Sequence, residues 1–279
     1  MTRGRGFAPD GPDPVAAWLA RWSLIADGDG FTTRFGSLLM PVRTPDGAAA
    51  MLKIAVHEEE RRGAATLAWF EGQGAVRVLA RQGSALLMER AGGSTSLAQM
   101  ARSGADDAAC VTLCKVAAAL HAPRRRPPPR EAVPLERWFR ALWPAATAHG
   151  GAFAKAAVAA RPLLATQQDV VVLHGDLHHD NVLDAEERGW LAIDPKGLVG
   201  ERAFEFANLF RNPDAETALA PRAMARRLSK VSAAAGVDRE RLRSWIVAYA
   251  GLGAAWSLSS GDDPGPGLAI AEAAAALAH

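Results

Sequence analysis

His174-Gly175-Asp176-Leu177-His178-His179-Asp180-Asn181, followed downstream by Ile193-Asp194-Pro195, is the stretch on which the reading of this chain turns. It offers a carboxylate, an amide and a second carboxylate in an order suited to moving a phosphoryl group. That reaction asks little covalent chemistry of a protein. One group must position the attacking hydroxyl, and oxygen ligands must hold a divalent metal on the nucleotide phosphates. Asp176, Asn181 and Asp194 are the residue types for those tasks.

The flanking pattern explains how residues so far apart in the chain can meet. Asp169-Val170-Val171-Val172-Leu173 is a β-branched apolar run, predicting a buried strand with His174 at its end. Asn181-Val182-Leu183 and Trp190-Leu191-Ala192-Ile193 flank a polar stretch, 184–189, that closes on glycine, the signature of a hairpin with a longer loop. The start of one antiparallel strand lies beside the end of its partner, so Asn181 and Asp194 belong together, with Asp176 on the loop leading in. Pro195 keeps Asp194 extended and stops the strand. Asp180 is the rival carboxylate to Asp176 and equally suits a turn. His174, His178 and His179, with Asp176 and Asp180, also admit a zinc cluster and hence a metal-dependent hydrolase. No further ligand pair at zinc-like spacing accompanies them.

His174-Gly175-Asp176 through Asn181 has the spacing of the protein-kinase catalytic loop H-R-D-x-x-x-x-N, with Gly in place of Arg. In its H-G-D-L-H-x-x-N form the segment resembles the aminoglycoside phosphotransferase family, and within it the streptomycin 6-kinase and hydroxyurea kinase branch. Ile193-Asp194-Pro195-Lys196-Gly197 and Glu205-Phe206-Ala207-Asn208-Leu209-Phe210-Arg211-Asn212-Pro213 resemble the same branch. The resemblance runs from Phe31 to the C-terminus and is most specific in the catalytic segment. It implies an α+β, two-lobed protein-kinase-like fold, with a small β-rich N-terminal lobe over 1–90 and a larger, mainly helical C-terminal lobe over 91–279. It further implies ATP and Mg2+ as cofactors, Asp176 as catalytic base, and Asn181 and Asp194 as magnesium ligands. Asp194-Pro195-Lys196 departs from the D-F-G of protein kinases, as the antibiotic-kinase branch does.

Composition sets the bounds. At 279 residues and 49% hydrophobic, the chain can bury a large core in one unit or two smaller ones. Its 32 basic and 30 acidic residues nearly cancel, which argues against nucleic acid as the main partner. Arg124-Arg125-Arg126 reads as a solvated loop. Cys110 and Cys114 stand one helical turn apart and read as buried, reduced thiols, fitting a reducing compartment. No signal-peptide core opens the chain, and the uncharged run Ile246 to Ser260 is too short to span a membrane. A cytoplasmic protein with no membrane partner is expected.

Before Glu89 the chain alternates strands with one helix. Met1 to Gly11 reads as a tail. Asp13-Pro14 reads as an N-cap and first helical position, and Trp18 and Trp22 align on one face as packing residues. Strands are predicted at 37–43 and 48–56, joined by a Pro45-Asp46-Gly47 turn. Lys53 sits among apolar residues of the second strand, costly unless it faces solvent or has a partner. Two readings stand: an outward lysine on an edge strand, or, by analogy with the V-A-I-K lysine, a ligand of the nucleotide phosphates. In the second case a glutamate on the next helix should pair with it. An ungapped match to family members points near Gly63, which cannot serve, so Glu60 is the choice and Glu59 the second. The segment 85–93 resembles the hinge between lobes, where Met88, Glu89 and Ala91 would contact adenine; a plain interdomain strand end is the alternative. Thr32 to Ser37 is a candidate phosphate loop or a simple turn.

Beyond Gly93 helices dominate, with a proline-rich connector at 123–134. A small-molecule acceptor should lie near Asp176, and a polycationic one needs carboxylates around it. Glu201, Glu205, Asp262 and Asp263 are the candidates, although Glu205 also suits anchoring the catalytic loop and Asp262-Asp263-Pro264 capping the last helix. Trp138, Trp143, Trp245 and Trp256 are pocket or core residues. The expectation is an ATP-dependent kinase of a small-molecule hydroxyl, with streptomycin-like aminoglycosides first and hydroxyurea second. A kinase of a housekeeping metabolite, the hydrolase, and a non-catalytic nucleotide-binding protein are the alternatives.

Overall fold

The computed structural model describes residues 14–277; the expected tail and the Asp13 cap lie outside them. Helix α1 (Pro14–Arg21) precedes short strands β1 (Ile25–Ala26) and β2 (Phe31–Thr32). Then come β3 (Leu38–Arg43), β4 (Ala49–Ile54), helix α2 (Glu58–Phe70), β5 (Val78–Gln82) and β6 (Ala85–Glu89). The strands form one antiparallel sheet ordered β1-β3-β4-β6-β5, with β2 also on β3. The two long strands close through the expected turn, where Gly47 N donates to Thr44 O at 2.8 Å.

Strict alternation in β4 sorts its side chains. Ala50, Leu52 and Ile54 pack with Val42, Ala85 and Leu87, beneath a cover that includes Trp18 and Trp22. Each fully buried aliphatic side chain of this kind contributes about 1.5–3 kcal/mol. Lys53 is thereby turned to the opposite face, towards α2. Because β4 pairs with β3 on one side and β6 on the other, the edge-strand reading of Lys53 fails: the strand is central and the residue only 6% exposed.

The remainder is mainly helical. It comprises α3 (Leu97–Met100), α4 (Asp106–Leu120), β7 (Val133–Pro134), α5 (Leu135–Trp138), α6 (Leu142–His149) and α7 (Gly151–Ala165). Strands β8 (Val170–Leu173), β9 (Val182–Asp184), β10 (Trp190–Ala192) and β11 (Leu198–Glu201) follow, then a 3₁₀ segment over Arg202–Arg211. Helices α8 (Ala215–Leu219), α9 (Ala223–Ala235), α10 (Arg239–Ser259) and α11 (Gly265–Ala275) complete it. Trp245, wholly buried on α10, packs near Phe139 and edge-on to Phe204, which also meets Tyr249 edge-on. Strand β8 pairs antiparallel with β11, and β9 with β10. Cys110 and Cys114 are buried free thiols on α4, and burial pushes both up to about 12. Among the described residues no helix is long and apolar enough to cross a membrane.

Contacts around the end of α2 help join the sheet region to the helices. The segment after α2 pairs with the end of the β9–β10 hairpin: Val76 N donates to Ala192 O at 3.1 Å and Ala192 N to Gly74 O at 2.9 Å. The arginine run is not the solvated loop expected. Arg124 stacks on Trp69 at 4.5 Å, and Arg126 pairs with Glu71 at 2.8 Å and donates to Trp69 O, so both dock the end of α2. The apolar faces those guanidiniums cover are invisible in a local run of charge.

Gly63 explains the gap in the expected α2 pattern. A Cβ there would lie 2.1 Å from the Pro195 carbonyl oxygen, so α2 rests directly on the backbone after Asp194. Gly63→Ala should force the two segments apart, at a cost of about 1–3 kcal/mol. Thermal melting should show the loss; an unchanged melting temperature would contradict this contact.

Candidate active site

His174 follows β8 and is held from distant segments by Glu205 and Ile193. Glu205, in the 3₁₀ segment, accepts from His174 N at 2.7 Å and Gly175 N at 2.8 Å, while His121 Nε2 lies 3.1 Å from it. Burial alone would raise the Glu205 pKa, but the His121 contact and these amides outweigh it and hold the carboxyl below its ordinary value. The His174 ring donates through Nε2 to Ile193 O at 2.7 Å and accepts from Asp176 N at 3.2 Å through Nδ1, which fixes its tautomer. Gly175 has φ +81°, and a Cβ would meet Leu198 at 2.7 Å. Glycine replaces arginine here for both reasons.

The loop so fixed presents Asp176. Its Oδ1 accepts from Asn208 Nδ2 at 2.9 Å, and its Oδ2 faces Asn181 Nδ2 at 3.3 Å. Asn181 also donates to the Asp176 carbonyl at 2.9 Å. The hairpin register is the one expected: Ala192 opposes Val182, and Ile193 N donates to Asn181 O at 2.9 Å, which sets Asp194 beside Asn181. Asp194 differs from expectation in its backbone. Its φ is +59°, a left-handed conformation rather than an extended one. That turn aims its carboxylate across the cleft at the sheet.

There Lys53 Nζ lies 2.5 Å from Asp194 Oδ1 and 3.0 Å from Glu60 Oε1. Glu60 is steadied by a short hydrogen bond from Ser37 and by the Val56 amide at 3.3 Å. Burial pushes the Glu60 pKa up, but Ser37 and Lys53 outweigh it, so the carboxyl sits below its ordinary value. Glu59 instead pairs with Lys196 at 2.9 Å. Lys53, Glu60, Met88 and Asp194 line a cavity of about 220 Å³, with Leu39 and Ile193 among its apolar walls. Glu89 borders this region but commits its carboxylate to Arg188 and to Arg77 N at 2.7 Å. Ala91 lies in the irregular stretch between β6 and α3. Thr33 Oγ1 accepts from Ser37 N at 3.1 Å and so shapes the 33–37 turn, while the Ser37 hydroxyl is spent on Glu60 and accepts from Val56 N at 3.2 Å.

Asp176 opens onto a second, larger cavity of about 810 Å³, whose walls include His178, Lys196, Asn208, Arg211, Tyr249 and Trp256. The carboxylates expected around an acceptor are elsewhere. Glu201 is buried under Arg241, with a contact of 2.5 Å, and accepts from Trp245 Nε1 at 2.9 Å; it braces α10. Glu205 anchors the catalytic loop. Asp262 is exposed and paired with Arg34 at 3.3 Å, and Asp263 accepts from Gly265 N at 2.8 Å at the start of α11. None of the four lines the cavity. Trp245 is core, whereas Trp138 and Trp256 form an edge-on pair on the wall.

Two residues near Asp176 had no role in the sequence reading. Asn208 lies in a quoted motif, but only the fold shows its amide on Asp176. Lys196 Nζ lies 3.9 Å from Asp176 Oδ2. Burial would lower the Lys196 pKa, but Asp176 and Glu59 raise it further, so the ammonium stays charged. Divalent-metal chemistry fits the donor set. Asn181 spends its Nδ2 on Asp176, leaving its amide oxygen as a ligand, and Asp194 contributes a partly exposed carboxylate. The histidines do not converge as zinc ligands. Both His174 nitrogens are taken, while buried His179, kept neutral with a pKa pushed down to about 3, faces Cys110 and Asp106. Arg226 and Arg227 already occupy Asp106.

The sequence model of aminoglycoside/hydroxyurea antibiotic resistance kinases matches residues 21–261. A streptomycin 3''-kinase from Klebsiella pneumoniae is 51% identical over 266 residues, covering 94% of this chain and 98% of its own length. A hydroxyurea phosphotransferase from Kitasatospora aureofaciens is 31% identical over 278 residues, covering 93% and 76%. Among solved structures, an aminoglycoside phosphotransferase from Streptomyces rimosus in complex with ADP and streptomycin superposes with a TM-score of 0.56. The match spans 87% of this chain and 99% of that one at 20% identity, which speaks to the fold: the two-lobed, protein-kinase-like α+β architecture.

Proposed function

The chain belongs to the aminoglycoside/hydroxyurea antibiotic resistance kinase family, and from that premise we propose how its residues carry the reaction. The enzyme moves the γ-phosphoryl group of ATP to a hydroxyl of a small molecule. One observation carries this reading. Lys53, Glu60 and Asp194 meet on one flank of Asn181, and Asp176 opens onto a separate cavity on the other. The proposal includes a division at 90/91 between a nucleotide-holding and an acceptor-holding lobe.

Lys53, released from Asp194, steadies the α- and β-phosphates while Glu60 keeps it aimed. Asn181 and Asp194 hold Mg2+, which when bound neutralises charge on the nucleotide phosphates. Met88 and Ala91 border the adenine, and Glu89 fixes the hinge through Arg188. At the acceptor, Asp176 receives the hydroxyl proton. Asn208 and Asn181 hold its carboxylate in one orientation, so the oxygen that takes the proton is pre-positioned. Lys196 adds positive charge beside it. Streptomycin-like aminoglycosides are the leading acceptors and hydroxyurea the next, supported by the names of the relatives. A compartment rich in ATP, the cytoplasm, is the place of action.

An ADP-release screen over aminoglycosides, hydroxyurea, amino alcohols and sugars tests this. We expect acceptor-stimulated release that Asp194→Asn lowers by about 10²-fold or more, through metal-nucleotide binding or turnover. Tight ATP binding with no stimulated release across the panel would favour a regulatory protein. Stoichiometric bound zinc would favour the hydrolase. Either result would reject the kinase reading.

A further inference from the structure

The acceptor cavity is walled by aromatic rings from separate parts of the chain. Phe35 reaches it from the 33–37 turn of the sheet region, Trp138 from the end of α5, and Tyr249 and Trp256 from α10. Two of these rings already carry a guanidinium of the chain itself. Arg34 lies 5.8 Å from the Phe35 ring centroid, and Arg211 lies 5.5 Å from that of Tyr249. The tryptophans, whose faces attract cations most strongly, carry none among the described residues. They meet each other edge-on at 5.1 Å, and Trp256 meets Tyr249 edge-on at 6.1 Å. Both are half-buried, seated on the core yet lining the cavity. Trp138 is also unanchored at its polar end. Trp245 donates to Glu201 at 2.9 Å and Trp69 to the Pro127 carbonyl at 2.8 Å, whereas the buried Nε1 of Trp138 finds no acceptor among the described residues. A tryptophan kept only for packing is ordinarily placed where that N–H is met.

A cationic acceptor needs something in the cavity to replace its lost hydration. Two carboxylates line it: Glu59, spent on Lys196 at 2.9 Å, and Asp176, which serves the reacting hydroxyl. Of the lining cations, Lys196 and Arg34 are paired and Arg211 is stacked, while Arg137 and Arg140 are exposed, where solvent screens them. The aromatic faces are what remains to hold a cation. We propose that Trp138 and Trp256 form a stacking site for a planar guanidinium group on the acceptor, and so determine which cations the cavity prefers. The inference rests on the kinase reading and narrows its substrate class to guanidinylated ring compounds with a free hydroxyl. Guanidinium suits such a wall better than ammonium for a physical reason. It is flat and weakly hydrated, so it can lay its face on an indole and keep its edge N–H groups for other partners. Ammonium is a compact, strongly hydrated charge that gives up more at the same surface. Arg211 on Tyr249 is that contact made within the chain, on the next ring of the wall. Asp176 lines the same cavity, so an acceptor stacked there has its hydroxyls in the space the base faces.

A matched pair of ligands tests this. Streptidine, the diguanidino ring of streptomycin, and streptamine, its diamino counterpart, carry the same charge and the same ring hydroxyls, so Asp176 attracts them alike. Binding of each to the full chain is measured by calorimetry, beside Trp138→Phe, Trp138→Leu, Trp256→Phe and Trp256→Leu, with melting temperatures as the check on folding. We expect the unaltered chain to bind streptidine about fivefold more tightly or better, as a partly desolvated cation–π contact allows. The preference should fall towards one in either leucine variant and persist in large part in the phenylalanine variants. In the ADP-release assay, KM for streptomycin should rise about fivefold in the leucine variants with kcat little changed, because a stacked group binds ground state and transition state alike. The comparison on the unaltered chain decides by itself, whether or not every variant folds. Equal affinity for the two rings, no measurable binding of either, or a preference that neither leucine variant moves would overturn the stacking site, and acceptor-stimulated ADP release would still stand for the kinase. The expected preference with no ADP release from any acceptor would uphold the cation site and remove the kinase reading.

Discussion

Asp176→Asn should reduce phosphoryl transfer by about 10²- to 10⁴-fold while nucleotide affinity stays close to wild type. The substitution is nearly isosteric. The amide oxygen can still accept from Asn208, which lies 2.9 Å from Asp176 Oδ1, so the loop geometry should persist. What disappears is an oxygen able to take a proton, along with the negative charge 3.9 Å from Lys196. Nucleotide affinity should be spared because Asp176 lines the larger cavity, whereas Lys53, Met88 and Asp194 line the other. Single-turnover ADP release and a separate nucleotide titration distinguish these effects. Wild-type turnover in the variant would remove Asp176 from the chemistry. A parallel loss of nucleotide binding would mean that the two cavities are not separate.

Glu205→Ala should have the largest effect on stability, about 3–5 kcal/mol, as when one member of a buried charged cluster is removed. Two backbone amides, His174 N and Gly175 N, would lose their acceptor, and His121 its partner, in a region closed to water. For a chain of this size the melting temperature should fall by roughly ten degrees. Activity should fall with it, because those two amides set the position of Asp176. The pH dependence follows from the direction of the shift. A carboxyl held below its ordinary 4.5 gives stability that is complete above that pH and is lost as pH falls through its lower folded value. The gap in stability between wild type and Glu205→Ala should therefore narrow under acid. Denaturant unfolding across that range provides the check; a gap independent of pH would mean that Glu205 is not ionised in the fold.

Local pattern was enough to foresee what depends on local pattern. The hairpin that brings Asp194 to Asn181 follows from alternation and a polar, glycine-closed loop. Lys53 stood out because its neighbours in the strand are apolar. The carboxylates were harder, because a glutamate in a sequence carries no sign of what it faces. Glu201 and Glu205, four apart, both looked available to a cationic ligand. One is buried under Arg241 and Trp245, the other under His121 and the catalytic-loop amides, all contacts made across long stretches of chain. Gly63 looked like a missing partner when it is a point of close approach. Arg211 stood in a family-like segment with no role given, since its guanidinium meets Gly253 on a helix further along the chain. Lys196 was part of a recognised motif, yet its place beside Asp176 depends on the left-handed turn at Asp194.

The hydrogen bonds from Ala192 and Val76 make one flank of the cleft into a spine. Strand β10, two residues before Asp194, is stitched there to the chain that enters the sheet. A widening that kept these bonds would pivot on that seam, as a book opens away from its binding. The fore-edge lies where Arg34 reaches Asp262, an exposed pair of the kind that yields at little energetic cost. Salt should therefore loosen the fore-edge and leave the binding untouched.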